Sequence, residues 1–243
     1  MRAYQLPKGG AGIEALTQGD RPDPKPAYRQ VLVQVKASAL NFRDLAIARG
    51  GYRMPVRDNL IPLSDGAGEV IETGPGVTRV KVGDNVAGNF FQRWSGGAPP
   101  ADAHKSALGG GIDGMLAEYA VLEEDGAVKI PAHLSLEEGA TLRGAATLTR
   151  SFGAIRVGGK VTLIGGLSGG ATELNPALIF GRRANVQGIS VGSTEMFEAM
   201  NRAIAANAIK PVIDKVFSFA EAQAAYRHMA AGAHFGKIVI QVA

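Results

Sequence analysis

The pattern of apolar residues changes period once along this chain, at Ser135, and that switch sets what it can fold into. Before it, short runs alternate apolar and polar residues between glycine-containing turns: QVLVQVKASAL at Gln30 to Leu40, GAGEVIETG at Gly66 to Gly74, then DNVAGNFF and MLAEYAVLEE. Such runs place apolar side chains on one face of a strand, so this part predicts a compact, mostly β domain. Within it, NFRDLAIARG carries Phe42, Leu45, Ala46 and Ala48 near helical spacing and stops at Gly50 and Gly51, which predicts one short helix just past a strand end. From Ser135 onward strands and helices alternate. Ser135 with Glu138 and Ser218 with Glu221 have capping-box spacing, and KVTLIGG, ANVQGISVG, IKPVIDKVFSF and HFGKIVIQV read as strands. NPALIF begins a helix at Asn175 and Pro176. Ser193 caps another, TEMFEAMNRAIAANA, with Met196, Met200, Ala203 and Ile204 on one face.

Composition narrows the function classes. At 243 residues and 46% apolar content the chain can bury one large or two modest cores. The net charge of +4 is spread out, with no basic run longer than Arg182 and Arg183, which argues against a nucleic-acid partner. The absence of cysteine removes disulfides, thiolate nucleophiles and sulfur metal ligands together, and fits a reducing, cytoplasmic compartment. No apolar stretch reaches the length of a membrane span or an export signal, so no membrane partner is expected. The segment Ser95 to Gly111, SGGAPPADAHKSALGGG, has no periodicity and predicts a surface loop, either covering a site or without a role.

Several stretches, taken in order, carry a family resemblance: VKASALNFRD, PLSDGAGEVIETGPGVTRVKVGDNVAG, DGMLAEYAVL, VKIPAHLSLEEGATL, VGGKVTLIGGLSGG and FSFAEAQAAYRHMAAGAHFGKIVI. In this set the glycines permit tight turns and close backbone approach, and Asp84 can hydrogen-bond across a turn. The chain resembles the medium-chain dehydrogenase/reductase superfamily, in particular its zinc-independent, quinone-oxidoreductase-like alcohol dehydrogenase branch. The resemblance implies a mixed α/β fold: a GroES-like β-barrel domain from residues 1–140 and 209–243, with residues 141–208 as a truncated Rossmann-like part holding only the last strands and helices.

The truncation is the departure from the family. A dinucleotide fold needs a strand, a G-x-G-x-x-G turn opening a helix, and a ribose-reading residue about 20 positions on. None follows Leu142, and Gly165, Gly166, Gly169 and Gly170 lead into ATEL with no acidic group at that distance. Some three βα units, on the order of 90 residues, are missing by this reckoning. Pyrophosphate affinity comes largely from a helix N-terminus, so NAD(P) is expected to bind weakly or not at all. What the resemblance leaves for the nicotinamide end is Gly165, Gly166, Leu167, Gly192, Ser193 and Lys237.

Asn41 and LSDGAGE stand where zinc-dependent relatives carry a cysteine and a Gly-His-Glu motif, so no zinc is expected; His104, His133, His228 and His234 lie on separate elements without ligand spacing. A carbonyl accepting hydride must then be polarised by hydrogen-bond donors. The resemblance points to Asn41 and Tyr52, with Arg43, Asp44 and Asp65 nearby. Asn41 can equally cap the helix that follows, with Asp44 in its first turn. Phe90, Phe91 and Trp94 form either a wall of the cleft or part of the core.

Three functions remain open on these grounds. One is an NAD(P)H-dependent reductase of small carbonyl, enone or quinone compounds; another is a cofactor-free protein binding a small molecule in the retained cleft; the third is a non-catalytic dimerising subunit. A homodimer through the strand near Ala184 to Val191 is expected, because pairing there covers an exposed edge.

Overall fold

The computed structural model describes residues 1–52, 55–141, 155–163, 176–189 and 191–243. The chain divides into two compact units, residues 1–142 with 192–243, and residues 143–191.

In the larger unit, β1 (Arg2–Gln5) pairs antiparallel with β2 (Thr17–Asp20). The organising strand is β3 (Gln30–Ala39). Along one side it pairs antiparallel with β4 (Asp65–Thr73), which pairs in turn with β5 (Asn85–Gly88). Its other side is shared. Residues 30–34 take β6 (Tyr119–Glu123), and residues 37–39 take β11 (Lys237–Gln241), which lies parallel to β10 (Ile213–Ser218). With β7 (Ala127–Lys129) on β5, the sheet has seven strands.

Register irregularities at Leu32/Val33 and Val35/Ala37 bend β3, as bulges do. The bend lets one strand serve two cores: Val31, Val33 and Val35 join the larger cluster, while Ala37 and Ala39 join a second of small side chains with Ala67, Ala87 and Val239. Because both faces are covered, Leu32 and Ser38 are buried too, and the one-sided alternation expected from the sequence does not hold. Gly68 on β4 illustrates the closeness of packing. A Cβ there would lie 2.0 Å from the Gln34 carbonyl oxygen, which only glycine avoids.

Helix α1 (Phe42–Ala48) follows β3 directly and ends before Gly50, whose φ of 72° is left-handed. The expected helix at Ser135 is the short α2 (Leu136–Gly139), with both capping-box bonds made. In the smaller unit, β8 (Lys160–Leu163) pairs parallel with β9 (Asn185–Gly188), with α3 (Pro176–Gly181) between them in sequence. Helices α4 (Thr194–Ala206) and α5 (Ala222–Ala231) belong to the larger unit.

Three expectations are corrected here. Residues 192–208, assigned to the cofactor side, pack with the larger unit, because Thr194 donates from its backbone N–H to the Trp94 carbonyl and Asn201 donates through Nδ2 to the Lys129 carbonyl. The buried face of α4 is Thr194, Phe197, Asn201 and Ile204, whereas Met196 is 56% and Met200 37% exposed. Two of its inward positions are polar, which hid the face from an apolar pattern. The segment 95–111 is not wholly a surface loop: Ala103, Ser106, Ala107 and Leu108 are buried, and Ala107 bridges Phe91. Among the described residues no helix is long and apolar enough to cross a membrane.

Candidate active site

Three strand ends meet at one place on the larger unit. Asn41 follows β3, Asp65 opens β4 opposite Ala39, and Lys237 opens β11. Lys237 Nζ donates to Asn41 Oδ1 at 2.8 Å and lies 4.0 Å from Asp65 Oδ2. Asp65 also accepts from Ser64 Oγ at 2.9 Å. Just before it, buried Leu63 has a φ of 69°, a strained conformation for a branched residue that turns the chain into β4.

Helix α1 supplies the next layer. Asn41 occupies its N-cap position in a capping box with Asp44, whose Oδ2 accepts from the Asn41 backbone N–H at 2.8 Å. The Asn41 side-chain oxygen also accepts from Lys237 Nζ. Its Nδ2 has no partner among the described residues. Arg43 donates from Nε to the Tyr52 hydroxyl at 3.1 Å and from Nη1 to the Leu108 carbonyl at 3.0 Å. Its guanidinium lies against the rings of Tyr52 and Phe90, 4.9 and 4.7 Å from their centroids. Tyr52 therefore accepts with its oxygen and keeps its hydroxyl hydrogen to donate.

Asp44 is fully buried, with Oδ1 3.6 Å from Arg43 Nη1 and no hydrogen bond to that oxygen. Burial pushes its carboxyl up to about 6, against the opposing pull of Arg43 and the Asn41 N–H. Tyr226 on α5 is equally buried, and its hydroxyl has no partner. Burial, with the nearby Asp44 charge, drives that phenol well above its ordinary range. A cavity of about 190 Å³ adjoins the site, lined by Tyr52, Ile47, Val56 and the glycine turns at Gly9, Gly10 and Gly50.

The structure thus brings together Asn41, Arg43, Asp44, Tyr52, Asp65 and Lys237. Gly192 and Ser193 serve elsewhere: Ser193 Oγ caps α4 by accepting from the Met196 N–H, and a side chain at Gly192 would meet Met196. Gly165, Gly166 and Leu167 lie outside the described residues. Phe90 and Trp94 are buried as core, with Phe90 doubling as the backing of Arg43. His228 and His234 are closer than expected, ring centroids 6.2 Å apart, with His228 Nε2 2.8 Å from Asp214 Oδ2. Sequence reading missed Tyr226 and Ser64. A tyrosine amid a helical apolar face gives no sign that its hydroxyl ends beside a carboxylate.

The donor set does not suit a divalent metal. Its oxygens are those of Asn41, Asp44 and Asp65, interleaved with the cations Arg43 and Lys237, and among the described residues no group of three His, Asp or Glu could hold an ion. For a dinucleotide, the donors on offer among the described residues are the Asn41 amide and the Tyr52 hydroxyl, with the Lys237 ammonium beside them.

Comparison with known proteins gives the family. Residues 27–132 match the family described as alcohol dehydrogenase GroES-like domain, and residues 139–240 match the family described as zinc-binding dehydrogenase. A zinc-type alcohol dehydrogenase-like protein of Schizosaccharomyces pombe is 29% identical over 314 positions, covering 88% of this chain and 91% of the relative. That span exceeds the 243 residues of this chain, so the relative has segments with no counterpart here. A chloroplastic quinone-oxidoreductase homolog of Spinacia oleracea is 34% identical over 148 residues, 60% of this chain and 40% of the relative. A crystal structure from Sinorhizobium meliloti 1021 superposes with a TM-score of 0.87 at 24% identity, over 100% of this chain and 99% of the other. This end-to-end correspondence in fold runs against the expectation of a large truncation.

Proposed function

Because this chain belongs to the medium-chain dehydrogenase/reductase superfamily, as an oxidoreductase of the alcohol dehydrogenase and quinone oxidoreductase type, we propose that it reduces a small carbonyl, enone or quinone compound without zinc. The observation that carries this reading is the pair of unused donors in one cluster, Asn41 Nδ2 and the Tyr52 hydroxyl, of which Tyr52 also lines a small cavity. A bound NAD(P)H would supply the hydride. The chain's own part is to hold the substrate oxygen on these donors, so that the negative charge developing there meets fixed dipoles. Tyr52 has a proton to give to the reduced oxygen, with Arg43 holding its ring in place.

We read cofactor binding as weak, on the absence of a G-x-G-x-x-G turn after Leu142. Titration with NADPH and NADH, followed by calorimetry, alongside a screen of quinones, enones and aldehydes, tests both parts. Nucleotide-dependent turnover with binding well above micromolar is the expected result. Tight, micromolar binding overturns the weak-cofactor reading, and a folded protein that binds neither nucleotide up to millimolar overturns the reductase reading. Replacing Tyr52→Phe should then lower turnover by about 100-fold, within the range for a lost general acid.

A further inference from the structure

We infer that Lys237 is a positioning residue that locks the Asn41 carboxamide with its oxygen turned away from the substrate and its NH₂ group presented as the donor; this rests on the proposed reduction at that site. A carboxamide has two orientations that are nearly alike in shape and opposite in chemistry, one showing a donor and the other an acceptor. An ammonium group can only donate. The 2.8 Å bond from Lys237 Nζ therefore fixes Oδ1 on the lysine side and leaves Nδ2 as the open end. With the amide reversed, a lone-pair oxygen would face the substrate oxygen and repel it.

The bond also does more than select an orientation. A cation hydrogen-bonded to Oδ1 polarises the amide, which makes its N–H groups stronger donors. Asp65, 4.0 Å from the same ammonium, holds Lys237 at the mouth of β11 and keeps it from swinging into solvent. Lys237 itself is largely buried, with 14% of its side chain exposed. The positive charge thus acts on the substrate through one intervening amide.

The test uses Lys237→Met, Lys237→Arg and Lys237→Gln, together with Asn41→Ala and the double variant. Thermal unfolding first establishes that each is folded. The expected result is that K237M loses about 10-fold or more in kcat with the nucleotide affinity unchanged, and that K237R, which also only donates, recovers most of it. K237Q, able to donate or accept, falls between them. In the Asn41→Ala background K237M should cost nothing further. Multiplying effects in the double variant, or weaker nucleotide binding with kcat unchanged, would overturn the inference in favour of a direct cofactor contact. A readout independent of turnover is the carboxamide resonance of Asn41 in labelled protein. It should shift in K237M and stay near its position in K237R. An unmoved signal in K237M overturns the lock even if the protein proves to be no reductase.

Discussion

Asp44 offers a sharp physical probe of the cluster, because it is a fully buried carboxylate whose charge is only partly compensated. Its folded-state value of about 6 lies above the ordinary 3.8, so the native state binds this proton more tightly than the unfolded chain does. The sign follows from linkage. Below pH 3.8 the group is protonated in both states and stability carries no cost from it; between 3.8 and about 6 stability falls as pH rises; above that the full cost is in place. At about 1.4 kcal/mol per pH unit, the interval amounts to about 3 kcal/mol. Asp44→Asn removes the titration, and its side-chain oxygen can still accept from the Asn41 N–H. Arg43 retains Tyr52 and Leu108. The stability of the variant relative to the native protein should therefore climb by most of that 3 kcal/mol between about pH 4 and pH 7.5, read from urea unfolding across the range. A difference that stays flat with pH, or one that shrinks as pH rises, would refute the reasoning and mean that Arg43 fully compensates the charge.

Other expectations follow from single contacts. Tyr226→Phe removes a buried hydroxyl without a partner, so stability should hold or rise by about 1 kcal/mol; a loss of that size would reveal a bond to Asp44. Gly68→Ala forces a methyl against the Gln34 carbonyl and should cost about 3 kcal/mol in chemical denaturation, with an unchanged midpoint disproving the close approach. A homodimer through β9, the strand from Asn185 to Gly188, should appear in light scattering, and a clean monomer at all concentrations would remove it.

What the sequence made legible was what depends on neighbours along the chain. The runs at Gln30 to Leu40 and Gly66 to Gly74 are β3 and β4, and both capping boxes form, since each is decided within a few residues. The helix face of α4 was misread for the opposite reason. Thr194 and Asn201 are inward because the Asp125 and Lys129 carbonyls await their side chains, a fact set by β7 and the turn before it. Residues 95–111 likewise bury their second half against Phe91, which composition does not encode. The candidate site shows both sides of this. Asn41, Arg43, Asp44 and Tyr52 could be grouped because α1 and its flanks keep them close in sequence. Lys237 stands 196 positions from Asn41 and reaches it only because β11 pairs with the last three residues of β3. The family resemblance places Lys237 at the nicotinamide end, but nothing along the chain gives its bond to Asn41, which rests on that long-range pairing, so the orientation of a residue legible from the sequence depends on a contact that was not.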